Sequence, residues 1–385
     1  MYLLTLATLL PLALAAPVIQ PRGAQIVPGS YIIKFKDGLS NDAVHNTIDG
    51  LKSVNAKHVY RASKFKGFAA NLDAQALKLV KALPEVEYIE QDAVVTINDV
   101  VTQANVPWGL GRISHRAAGA TDYVYDSSAG AGTCSYVIDT GIYTNHSQFE
   151  GRATWLANFA GDGKDTDGNG HGTHVSGTIG GVDYGVAKKT KLFAVKVLNA
   201  GGSGTTAGVI AGIDFVASDA KTRSCPNGTV ANMSLGGSRS TAMNTAAANL
   251  VKAGVFLAVA AGNSDDDSYY YSPASEPTVC TVGASDSTDV RAYFSNYGSL
   301  VDIFAPGVDV LSSWIGSTNA TNTISGTSMA TPHIVGLGAY LLALLGPKTP
   351  DQLCTYIQST ASLNTLTDIP NGTVNALAFN GNPAA

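Results

Sequence analysis

Three short strings bring together the side chains of a nucleophilic catalyst: Asp139-Thr140-Gly141, His171-Gly172-Thr173-His174 and Gly326-Thr327-Ser328-Met329-Ala330. Along the chain they supply an acid, a base and a hydroxyl, in that order. A serine hydroxyl is a poor nucleophile at neutral pH. It becomes competent when an imidazole takes its proton as attack occurs and a buried carboxylate fixes the imidazole tautomer and stabilises the imidazolium. Alone, each string has a plainer reading. Aspartates after apolar runs cap turns, serines after glycine sit in loops, and His171 with His174, three apart, would pass for metal ligands on one helical face.

The alternatives fail on spacing and order. A zinc-protease helix needs a glutamate after its first histidine and an i, i+4 pair of histidines, and neither is present. Gly326 to Ala330 half-matches the elbow G-x-S-x-G of the α/β-hydrolases but ends in alanine. An esterase of that type would also place its acid and base after the serine, whereas Asp139 and His171 precede Ser328. A non-catalytic binding protein on the same scaffold predicts a substitution at one of the reacting groups, and Asp139, His171 and Ser328 are all present. Ser328 is therefore read as the nucleophile, His171 as general base and then general acid, and Asp139 as the orienting carboxylate. Ser328 opens a long apolar helix, with Pro332 in its first turns, and a helix N-terminus favours the oxyanion that forms on attack. Gly170 and Gly172 leave room beside His171 for a close-passing backbone.

The elements that must position these groups alternate strand and helix. Apolar strand candidates are 135–138, 193–198, 230–234, 255–259, 279–282 and 301–304. Helical stretches intervene at 174–180, 206–219, 241–253 and 328–345. Continuous apolar strands separated by helices predict a parallel sheet covered on both faces. Ligands in such folds bind beyond the carboxyl ends of the strands, where Asp139, Ser234 and Asn263 fall. Ahead of this region lies a segment without cysteine, read as strand (31–36), helix (41–57), strand (65–72), helix (74–83) and strand (86–90). That order predicts a small α+β domain of ferredoxin-like type. The strand 86–90 alternates only imperfectly.

Composition bounds the rest. The chain has 385 residues, a net charge of −5, 14% charged residues and 41 glycines, which suits a compact, loop-rich enzyme and gives no electrostatic case for nucleic acid. Residues 17–100 carry ten basic and nine acidic side chains, and residues 101–385 carry 14 and 20. The opposite net signs allow a modest, salt-sensitive attraction between the two parts. Met1 to Ala16 reads as a secretory signal, an apolar run leading to the small-x-small site Ala13-Leu14-Ala15. The run is too short to span a bilayer, and no membrane partner is expected. Four cysteines, Cys134, Cys225, Cys280 and Cys354, permit three disulfide pairings. Sequons occur at Asn145, Asn227, Asn232, Asn319 and Asn371; Asn232, in a core strand, should stay bare.

The three strings in this order resemble the subtilisin-like serine protease (subtilase) family, in its proteinase K-like branch, over nearly the whole chain and most strongly from Trp108 onward. The resemblance implies a secreted, monomeric serine endopeptidase of broad specificity with protein and peptide substrates and no cofactor for its chemistry. Residues 1–16 would be the signal, residues 17–100 an inhibitory, folding-assisting prosegment, and residues 101–385 the subtilisin-like catalytic domain. Maturation would fall near Asn98 to Val101. Asn263 would be an oxyanion donor, although an asparagine after glycine reads on its own as a turn residue. Gly202, Ser203 and Gly204, with Ser234, Leu235 and Gly236, would sandwich an extended peptide as an added strand, and Ala260, Ala261 and Gly262 would wall an apolar primary pocket. The implied disulfides are Cys134–Cys225 and Cys280–Cys354. A structural calcium would use Asp302 with the carbonyls of Pro277 and Val279. Asp165 to Gly170 mimics the start of an EF-hand loop without its later glutamate and is read as shaping the approach to His171. The chain departs from the type member of that branch at Val175, where the latter carries a free cysteine, at Thr206, where it carries a subsite tyrosine, and at Thr365, where an aspartate would serve a second calcium.

Overall fold

The computed structural model describes residues 15–21, 26–51, 54–94 and 100–382. Of the expected signal Met1–Ala16 most lies outside the described residues, and of the expected maturation region Asn98 to Val101 only Val100 and Val101 are described. The chain divides into two compact units, Met1–Ile97 and Asn98–Ala385.

In the first unit, two helices, Asn41–Gly50 and Ala74–Lys81, accompany a five-stranded sheet. Its order is Val18–Ile19, Val86–Ala93, Ile26–Phe35, Phe65–Asn71, Ala56–Ala62, and every pairing is antiparallel except that of the short edge strand Val18–Ile19. From Ile26 the order is βαββαβ with the ferredoxin-like strand arrangement. The first helix is shorter than the sequence suggested. It ends at Gly50, and residues 56–62 form an edge strand in which Lys57, His58, Arg61 and Ala62 are exposed, so no core-facing pattern announced it. The imperfect alternation near residue 88 also has a cause. Tyr88 pairs with Lys34 but Val86 pairs with Phe35, so Glu87 is an extra residue, and this bulge turns both Val86 and Ile89 into the core.

In the second unit, nine strands among the described residues form one sheet. They run in the order Ser362–Leu363, Ala376–Leu377, Ile303–Pro306, Cys280–Ser285, Phe256–Ala260, Gly228–Met233, Thr133–Asp139, Lys191–Lys196, Ala153–Asn158. All neighbours are parallel except the first pair. Side chains leave the strand Thr133–Asp139 alternately to its two faces. Val137 joins a core with Val175, Ile179, Ile334 and Val335, from the helices His171–Gly180 and Thr327–Leu345. Tyr136 and Ile138 join another, with Ile213, Val216, Ala247 and Leu250, from the helices Thr206–Asp219 and Thr241–Lys252. Helices therefore cover both faces, as the apolar strands predicted. The helix Thr327–Leu345 is long and apolar enough to cross a membrane, but most of it is buried in the core. Both disulfides implied by the resemblance are formed, Cys134–Cys225 and Cys280–Cys354.

Candidate active site

The site grows from strand ends and helix starts. Asp139 is the last residue of its strand and is fully buried. Its Oδ1 accepts from the Thr140 amide at 2.7 Å and from His171 Nδ1 at 2.8 Å. A carboxylate only accepts, so the imidazole proton sits on Nδ1 and Nε2 is left free to take a proton. His171 opens its helix. Burial works against its charge, but the Asp139 carboxylate, by charge and hydrogen bond, and the charge of Asp167 together hold its pKa above the ordinary 6.5. His174, three residues on, is not a second base or a metal ligand. Its Nε2 bonds the Val310 carbonyl at 3.0 Å, and burial pushes its pKa down to about 4.

Asp167 locks this acid–base pair together. Its Oδ1 accepts from Thr140 Oγ1 (2.9 Å) and from the amides of Asn169 (3.0 Å) and Gly170 (2.9 Å). Its Oδ2 accepts from the amide (3.0 Å) and hydroxyl (2.6 Å) of Thr173. Thr140 Oγ1 in turn accepts the Gly172 amide at 2.9 Å. The loop 165–170 thus caps the helix of His171 and ties it to the turn after Asp139. Beside the imidazole, a Cβ on Gly172 would collide with the Gly141 carbonyl oxygen, and one on Gly170 with the Trp314 ring.

Ser328 is the second residue of its helix, part-exposed, and its hydroxyl donates to the Ser234 carbonyl at 3.2 Å. Ser234 Oγ donates back to the Ser328 carbonyl at 2.7 Å. Pro332 explains this second bond. It stands six residues into the helix rather than in the opening turn, and its missing N–H is the one that would have served the Ser328 carbonyl. The orphaned carbonyl is satisfied by Ser234, which fixes the start of the nucleophile helix to the end of strand Gly228–Met233. Asn232, the buried sequon, donates its amide to Ser234 Oγ at 3.0 Å, which leaves no room for a glycan. Asn145, Asn319 and Asn371 are exposed, while the Asn227 amide is engaged with the Ala131 carbonyl.

Asn263 follows strand Phe256–Ala260. Its Oδ1 accepts from both the amide and the hydroxyl of Thr327, each at 2.8 Å, so its Nδ2 is turned away from them. Thr327 Oγ1 also accepts the Gly262 amide at 3.2 Å. A methyl group on Gly326 would stand 3.6 Å from both Asn263 Nδ2 and the Ser328 amide nitrogen. Two donors therefore border a space that glycine leaves open, as stabilisation of a developing oxyanion requires. From the sequence, Thr327 carries no role of its own, and Asp167 only that of the loop expected to shape the approach to His171. Thr327 sits inside the nucleophile string, but its partner lies 64 residues away.

A cleft of about 420 Å³ is lined by His171, Gly202, Ser203, Gly204, Thr206, Ser234, Leu235 and Gly236. Both expected substrate-edge segments thus line the same cleft as His171. Ala260, Ala261 and Gly262 do not line it; the methyl of Ala261 packs with Val301, Phe304, Leu366 and Leu377, so what it offers a ligand is main chain. Away from the cleft, Asp302 accepts from the Thr281 amide (2.8 Å) and from Gln358 Nε2 (3.1 Å). Burial raises its pKa to about 6 against these neutral donors. Cys280 and Cys354 lie beside it but are oxidised to a disulfide and offer no thiolate to a metal.

Residues 130–380 match the subtilase family model. The chain belongs to the subtilase family. Residues 30–98 match the peptidase inhibitor I9 family. A cuticle-degrading protease of Metarhizium anisopliae is 55% identical over 99% of this chain and 100% of its own length. Proteinase R of Parengyodontium album is 53% identical over 95% of this chain and 92% of its own. A cold-adapted subtilisin-like serine proteinase of known structure shares 45% of its sequence, covering 72% of this chain and 99% of that one, with a TM-score of 0.68. This subtilase is a serine endopeptidase with a subtilisin-like fold and an I9 inhibitor domain ahead of the protease.

Proposed function

We propose that the subtilase hydrolyses peptide bonds through Asp139, His171 and Ser328 by way of an acyl-enzyme. The pairing of Asp139 with His171 Nδ1 supports this reading, because it leaves Nε2 as the base. Ser328 turns its hydroxyl from the Ser234 carbonyl to Nε2 and attacks the scissile carbonyl as His171 takes the proton. Asn263 Nδ2 and the Ser328 amide receive the oxyanion. His171 then protonates the leaving amine, and water repeats the sequence on the ester. Gly202–Gly204 and Ser234–Gly236 bind the substrate main chain, which is common to all peptides and makes recognition broad. The main chain of Ala260–Gly262 borders the primary pocket.

The chain is proposed to be secreted as a monomer. Its leader is residues 1–16, its prosegment residues 17–100 and its protease residues 101–385, with glycans at exposed sequons. Asp302, with the Pro277 and Val279 carbonyls, would hold a calcium ion. A part-buried carboxylate faced only by neutral donors fits a cation that restores its charge. Pre-steady-state hydrolysis of an activated peptide ester tests the acyl-enzyme. A burst of leaving group equal to the active enzyme is expected, since deacylation limits ester turnover; a linear course from the first turnover would contradict it.

A further inference from the structure

The loop that presents Asn263 packs on a buried side chain that bonds it on both sides. We propose that Asn296 is a positioning residue for the oxyanion donor, an inference that builds on the reading of Asn263 given above. Asn296 is fully buried. Its amide N–H donates to the Gly262 carbonyl at 2.9 Å, and its Nδ2 donates to the Ala261 carbonyl at 2.9 Å. Its Oδ1 accepts from the amides of Ser264 (2.9 Å) and Asp266 (3.2 Å). The side-chain amide thereby holds Ala261 on one side of Asn263 and Ser264 and Asp266 on the other, the main-chain N–H adds Gly262, and Asn263 itself reaches forward to Thr327.

The chemistry requires an amide here. One planar group must donate to a carbonyl on one side and accept two N–H groups on the other. Aspartate would face the Ala261 carbonyl with a lone pair, and an apolar side chain would take from the Ser264 and Asp266 amides the acceptor that fixes them. The loop also sits directly against this amide: Gly262 has φ +109°, and a Cβ there would run into Asn296 Nδ2. Asn296 thus sets how far Asn263 Nδ2 stands from the Ser328 amide. An oxyanion site works through donors fixed before charge develops, and a misplacement of about 1 Å can cost on the order of 100-fold in rate.

A double-mutant cycle tests this on matured, active-site-titrated enzyme with a peptide amide substrate. Asn263→Ala should lower kcat by about 10²–10³, the range measured for this type of donor in subtilisin itself. Asn296→Asp, nearly isosteric, should lower kcat by on the order of 10-fold or more with KM little changed. In the Asn263→Ala background the same substitution should cost less than about twofold, because there is no longer a donor to misplace. If Asn296→Asp yields no folded enzyme, Asn296→Ser is read in the same way. An equal loss in both backgrounds, or no loss in either, would overturn the positioning role while leaving Asn263 as the oxyanion donor. An Asn263→Ala enzyme with unchanged kcat would overturn both.

Discussion

Asp167 accepts five hydrogen bonds without touching the cleft, and its charge is one of the two that hold the His171 pKa up. Asp139 supplies the other charge by direct contact. The base must be neutral to work, so activity falls as pH drops through a His171 pKa that lies above 6.5. Asp167→Asn removes a negative charge near the imidazolium and should shift the acid limb of the kcat/KM profile to lower pH. The same change turns an acceptor into a donor facing other donors, so the melting temperature should fall as well. A lowered melting temperature with the limb unmoved would leave Asp167 a helix cap and nothing more. These roles show what a sequence conceals at this scale. The strings around Asp139, His171 and Ser328 were legible because each triad member sits in its own short pattern. Thr327 and Asn296 act through partners brought near only by folding, as with Asn296 and Ala261, 35 residues apart, and Asp167, most of whose partners are local, reaches Thr140 across 27 residues.

The legible elements were those that bury a whole strand or one continuous helix face. Strand Thr133–Asp139 is buried throughout and reads as an apolar run, and helix Thr206–Asp219 was found with both its ends. Ala153–Asn158, at the sheet edge and only part-buried, and the exposed strand 56–62 carried no such pattern. The Cys280–Ser285 strand supports a prediction of its own, because Asp302 bonds the Thr281 amide there. Without a cation, the folded protein keeps the Asp302 proton up to about pH 6, whereas the unfolded chain releases it near 3.8. Between these values the unfolded state binds fewer protons, so this carboxyl makes stability fall as pH rises. A bound calcium ion reverses that contribution by stabilising the ionised form. Thermal melts with calcium or a chelator should therefore differ more at pH 7 than at pH 4. Equal melting temperatures with and without calcium at pH 7 would rule out the site.

At the scale of the molecule, a parallel sheet built from segments far apart in sequence forms slowly, because distant contacts must close before they stabilise anything. A prosegment with its own core, including Ile33, Phe35, Phe68 and Ile89, suits a folding assistant that is later removed. Ser328→Ala, expressed in a host lacking related proteases, should fold and be secreted with residues 17–100 still covalently attached. The separate prosegment, added in trans, should inhibit the active enzyme. A Ser328→Ala protein whose N-terminus lies near Val101 would mean that another protease matures the chain.

The assignment of Ser328 as nucleophile is most directly tested by covalent mapping. The matured enzyme is treated with a peptidyl fluorophosphonate, digested and sequenced by mass spectrometry. One adduct per molecule, on Ser328, is expected to form in step with the loss of activity and to be absent from the Ser328→Ala protein. An adduct on any other serine, or full inactivation with Ser328 unmodified, would contradict the account.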